Sequence, residues 1–118
     1  MTTKEIGEWG ESQACSFLED RDYDIIRRNF RVKCGEIDII AKDDECTVFV
    51  EVKTRKNNLF GEPSEYVNYH KQQRLVRAAN CFIDTVNSSM RFDVIEVFYQ
   101  LDNGIPNVTK INHIENAF

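Results

Sequence analysis

At 118 residues the chain can build one real hydrophobic core and is too short for two, so a single domain over residues 1–118 is expected. With 42% apolar and 30% charged residues it reads as a folded soluble protein rather than a disordered one, and a net charge of −5 weighs against nonspecific coating of nucleic acid, although a local basic patch is compatible with it. Cys15, Cys34, Cys46 and Cys81 form no Cys-x-x-Cys pair, the N-terminus MTTKEIGEWGESQ lacks a signal-peptide core, and no run approaches the roughly 20 apolar residues that span a bilayer; a cytoplasmic protein with reduced thiols and no membrane partner is expected.

From Thr3 to about Asp20, Ile6, Gly10, Ala14, Phe17 and Leu18 recur three or four apart, which predicts an amphipathic helix. Gly7 and Gly10 each weaken that helix by about 1 kcal/mol relative to alanine, which suggests a close approach there. YDIIRRNFRV (Tyr23 to Val32) is rich in β-formers and reads as a strand. GEIDIIAKDDECTVFVEVKTR follows, hinged at Asp43, Asp44 and Glu45, and reads as an antiparallel hairpin. After the polar loop KNNLFGEP, Pro63 suits the first turn of a second helix from about Ser64 to Val86, with Leu75, Ala78, Ala79, Phe82, Ile83 and Val86 on one face. FDVIEVFY (Phe92 to Tyr99) and NVTKINHI (Asn107 to Ile114) complete the chain as strands, the latter at an edge. The predicted fold class is α/β, a mixed sheet of four to five strands flanked by helices in the order α-β-β-β-α-β-β.

The hairpin carries charges inside otherwise apolar strands. Side chains alternate faces, so Ile37, Ile39 and Ala41 should meet Val48, Val50 and Val52 on one face. The other face then pairs Ile40 with Phe49, Asp38 with Glu51 and Glu36 with Lys53. Two carboxylates directly opposite repel, and partial desolvation sharpens this until one takes up a proton or a cation sits between them. Oxygen-only ligands suit magnesium or manganese. The same residues could instead form a solvated ladder of salt bridges, Glu36 with Lys53 and Asp38 with Arg55, of little energetic weight. Spacing does not choose between the two.

Asp38 followed by Glu51-Val52-Lys53 resembles the PD-(D/E)XK signature of restriction-endonuclease-like and Holliday-junction-resolvase-like nucleases. Gly7, Gly10, Glu11, Ala14, Arg28-Asn29, GEIDIIA, FVEVKTR, Gly61, Lys71, RFDVIEV and the closing NAF resemble the YraN-like family of bacterial proteins, usually placed in that superfamily. The leading proline of the motif is absent, Glu36-Ile37 standing before Asp38. The resemblance implies metal ligation (Mg2+ or Mn2+) by Asp38, Glu51 and the Val52 carbonyl, with Glu11 contributing to the same site, and a catalytic Lys53 that orients or helps deprotonate the attacking water. Glu36 would be a partner of Lys53 behind the site. It also implies a homodimer, as for resolvases acting on symmetric junctions.

The implied partner is nucleic acid, chiefly DNA. Arg27, Arg28, Arg31 and Lys33 cluster in RRNFRVK and, with Arg55, Lys56, Arg74 and Arg77, could grip a phosphate backbone without reading sequence. Arg28, Arg31, Arg55 and Lys71 are the nucleic-acid-binding candidates, Lys71 as a phosphate contact near a helix N-terminus. His70 and His113 are read as surface histidines, and Trp9 as core. Two functions remain: a metal-dependent endonuclease selective for branched DNA, or a noncatalytic nucleic-acid-binding or scaffold domain that keeps the nuclease fold.

Overall fold

Thr2 opens the first helix with a reciprocal cap: its hydroxyl accepts the Glu5 N–H at 3.1 Å while the Glu5 carboxylate accepts the Thr2 N–H at 3.0 Å. The computed structural model describes residues 1–57, 68–82 and 89–118. Within them lie α1 (Thr3–Glu19), β1 (Asp24–Val32), β2 (Gly35–Asp43), β3 (Cys46–Lys56), α2 (Tyr69–Phe82), β4 (Ser89–Asp102) and β5 (Ile105–Ile114). The element order is the predicted one.

The strands form one five-stranded sheet in the order β1-β2-β3-β4-β5. Only β3 and β4 run parallel, and α2 falls in the connection between them, as a parallel neighbour requires. Both β4 and β5 are longer than predicted. β1 starts one residue later, at Asp24, because Asp22 takes a left-handed φ of 67°. The described part of α2 begins at Tyr69, where Asn68 caps it, its Oδ1 accepting the Lys71 N–H at 2.9 Å; the predicted start at Ser64 lies outside the described residues. Gly61, Pro63, Ile83 and Val86 lie outside the described residues.

A helix covers each face of the sheet. On one side Ala14 and Leu18 of α1 pack on Ile39, Val48 and Val50; on the other, Leu75 and Ala78 of α2 pack on Ile40 and Phe49. Ile40 and Phe49 are 0% and 1% exposed, so the second face of the hairpin is covered too. Gly10 supplies the close approach: a Cβ there would overlap the Thr54 side chain, so its absence lets α1 settle on β3. Gly7 has no such neighbour. Trp9 is half-buried, edge-on to Tyr99 at 5.7 Å between ring centroids. Among the described residues no helix is long and apolar enough to cross a membrane.

One face assignment fails. Ile37 packs on the α2 side with Ile40, while Ile39 packs on the α1 side. Strict alternation would keep Ile37 and Ile39 together. The reason lies across the ladder. β1 slips register between Ile25 and Arg27, and Asn29 takes a left-handed φ of 51°, a conformation asparagine tolerates. Asn29 lies across from Asp38, between the pairs Arg28↔Ile39 and Phe30↔Ile37, and Asp38 sits where β2 changes face.

Candidate active site

The hairpin ladder runs from Asp43↔Cys46 to Ile39↔Val50 and stops. Beyond that point β2 stays with β1 (Ile37 with Phe30, Glu36 with Arg31), whereas β3 stays with β4 (Glu51 with Val94, Lys53 with Glu96). The sheet forks. Asp38 stands in the crotch and its Oδ2 accepts the Val52 N–H at 2.9 Å, a side chain standing in for the lost backbone partner. In an extended strand the N–H and C=O of one residue face the same neighbour, so the Val52 carbonyl also faces the fork.

Glu51 is the next residue round the fork, and its carboxylate lies within hydrogen-bonding reach of Asp38. Burial, then the charge of Asp38, pushes the Glu51 carboxyl up to about 7, against the pull of Lys71 and Lys53. Burial likewise raises Asp38, opposed by the Val52 N–H and Lys71. Glu11 of α1 reaches the same Asp38 and is raised by burial and by the Asp38 charge, with Arg28 and Asn29 opposing. Asp38 is thus addressed by a carboxylate from α1 and another from β3.

The Lys71 ammonium completes the group, at 2.5 Å from Glu51 Oε1; burial works to lower its pKa, but the carboxylates hold it raised. A cleft of about 490 Å³ opens beside it, bounded by the N-terminal half of α1 and the β3 edge, with Gly7, Glu51, Val52, Lys53, Thr54 and Lys71 in its wall. Glu51 rather than Asp38 or Glu11 faces this cleft. Among the described residues, no three His, Cys, Asp or Glu side chains converge closely enough to hold a metal as they stand. The donor set nevertheless fits a hard divalent cation. It offers two touching, partly desolvated carboxylates and an edge carbonyl, all oxygen.

The model of the uncharacterised protein family UPF0102 matches residues 10–97. The chain belongs to the UPF0102 family. A UPF0102 protein of Caldicellulosiruptor bescii is 50% identical over 122 residues, covering 100% of both chains. Those of Clostridium beijerinckii (44% over 118 residues, 98% of this chain and 94% of its own) and Clostridioides difficile (43% over 121 residues, 100% of both) are similar to it end to end.

The remaining predicted residues of this UPF0102 chain scatter. Glu36 does not meet Lys53; it pairs with Arg31 at 3.4 Å, both exposed, because the fork carries β2 away from β3. Arg55 does not meet Asp38. Its Nε donates at 2.9 Å to Glu96, which is 1% exposed and also accepts from Asn112 at 2.8 Å. Arg55 is therefore tied into the sheet. Arg28 donates to Ser12 at 3.2 Å and lies beside Glu11, on the α1 side of the fork. Of the basic candidates, Lys71 stands at the carboxylates.

His113 is not a surface histidine. Its side chain is 11% exposed and its Nε2 lies 2.7 Å from Asp93, a fully buried carboxylate that also accepts from Arg91 at 3.0 Å and from the Asn116 N–H at 3.1 Å. Although burial alone would raise Asp93, those bonds hold its carboxyl below the ordinary range. The signal was present in FDVIEV, where two acids interrupt an apolar strand at positions of opposite parity, Asp93 toward α1 and Glu96 toward α2.

Proposed function

We propose that this UPF0102 chain is a metal-dependent endonuclease of the PD-(D/E)XK type that hydrolyses DNA phosphodiester bonds, with branched DNA as the substrate class. One observation carries the reading: Asp38 and Glu51 are pressed together at a fork in the sheet, partly desolvated, with two lysines beside them. A structural salt bridge needs one carboxylate, not two in contact. Such a pair is stabilised by a doubly charged ion.

Asp38, Glu51 and the Val52 carbonyl would hold magnesium or manganese, with Glu11 behind Asp38. A metal bound there supplies charge neutralisation at phosphorus and lowers the pKa of its water. Lys53 follows Glu51 by two residues, so the pleat projects both from the same face of β3. From there its ammonium orients the attacking water and stabilises negative charge developing on the phosphoryl oxygens. The cleft along α1 and β3 receives the strand, and Arg28 flanks the fork from β1.

The test is cleavage of single-stranded, duplex, flap and four-way DNA by the purified chain with magnesium or manganese, beside Asp38→Ala and Lys53→Ala. Cleavage lost in both variants is expected. Cleavage undiminished in both would assign it to a contaminant. The second reading, a noncatalytic nucleic-acid-binding scaffold, is favoured by the Lys71 ion pair, which already neutralises Glu51. It predicts DNA binding without cleavage in either metal.

A further inference from the structure

Lys71 stands where a metal would. Its ammonium lies against Glu51 Oε1, and Glu51 is buried, its side chain only 6% exposed. The ammonium also feels Asp38 and Lys53. Its tip is therefore held at the oxygens of the fork, although the side chain as a whole is 39% exposed. The helix that carries it is anchored independently: Asn68 caps the first turn, and Leu75 and Ala78 pack on the sheet. The side chain, by contrast, has room. Lys71 lines the cleft shared with Glu51 and Lys53 and also a second cleft of about 270 Å³ bounded by Glu36, Asn68 and Arg74. A flexible four-carbon stem can carry the ammonium from one to the other without moving α2.

We infer that Lys71 is a tethered cation that occupies the coordination position on Glu51 in the metal-free protein, so that a divalent ion enters only by displacing it. The inference rests on the metal-site reading above and adds a regulation of that site. Two carboxylates in contact need positive charge, and a single ammonium supplies one charge to one oxygen. A divalent ion would bring two charges, and Asp38 and Glu51 could both hold it. The ammonium and the ion repel at this range and compete for the same oxygen, so each weakens the other's hold. Lys71 thus keeps the fork intact without metal and sets a threshold concentration for metal entry.

The test titrates Mn2+ into the full chain and follows free Mn2+ by electron paramagnetic resonance, a readout independent of cleavage. Lys71→Met and Lys71→Gln both preserve helix propensity at a partly exposed position and remove the charge. Both should bind Mn2+ at least roughly tenfold more tightly than the wild type. Lys71→Arg keeps the charge and should stay near the wild-type affinity, while Asp38→Asn should lose binding. If the neutral variants bind no more tightly while Asp38→Asn still loses binding, the metal site stands and the inference falls. If neither the wild type nor the neutral variants bind Mn2+, the metal reading falls and takes the inference with it.

Discussion

Glu51 makes the metal-free protein sensitive to pH in a direction fixed by its surroundings. Asp38 from β2, Lys53 on its own strand and Lys71 from α2 face it, and burial outweighs the lysines. Its carboxyl titrates at about 7 in the fold against an ordinary 4.5, so the folded state holds this proton more tightly than the unfolded chain. Below the ordinary value both states are protonated and the full contribution to stability is present. As pH rises from there through about 7, the fold must accept a second charge beside Asp38, and that contribution is lost. Converted at about 1.36 kcal/mol per pH unit, the loss is on the order of 3 kcal/mol. Asp38, also raised, adds in the same direction. The assay is urea unfolding at intervals between pH 5 and 8 with a chelator present, for the wild type and Glu51→Gln. The amide removes the titration, so the difference between the two proteins should change by a few kcal/mol across that window. A difference that stays constant with pH would refute the reasoning, because Glu51 would then carry no displaced proton.

Magnesium or manganese at millimolar concentration should raise the melting temperature, and more at pH 8 than at pH 6, because a proton competes for the same oxygens; equal shifts at both values would count against a carboxylate site. Gly10→Ala should cost about 1–3 kcal/mol in urea unfolding through its overlap with Thr54, whereas Gly7→Ala, with nothing within 4 Å, should gain up to about 1 kcal/mol. Equal effects at the two positions would show that the α1–β3 approach is not tight. Asp93→Ala should cost about 1–3 kcal/mol, because it removes the fully buried acceptor shared by Arg91, His113 and the Asn116 N–H while Arg91 keeps Asp43 and Glu115; no measurable loss would mean that the network relaxes around the gap.

Local pattern and pairwise register were legible in the sequence because they depend on near neighbours. The stripe of α1, the hinge at Asp44 and the facing of Ile40 and Phe49 all follow from periodicity, and the structure has them. Gly10 announced a close contact, and Thr54 supplies it. Strand limits were less legible. Asp22 in a left-handed turn moved a boundary, and that depends on which of several permissible conformations the chain selects.

The sequence by itself determined which acids stand near one another along the hairpin, since alternation and a two-residue turn allow few partners for Asp38. It could not determine what those acids pair with, because a flat ladder would have continued to Glu36 and Lys53. Only the tertiary structure decided that: the β2–β3 ladder ends at Ile39 and Val50, beside the left-handed Asn29 of β1, and Asp38 accepts the Val52 N–H left behind. The ion partners followed from the same parting. Glu51 took Lys71 from a helix twenty residues away in the chain, and Arg55 took Glu96 from β4, because side chains pair with what folding brings within reach, and sequence distance carries no information about that.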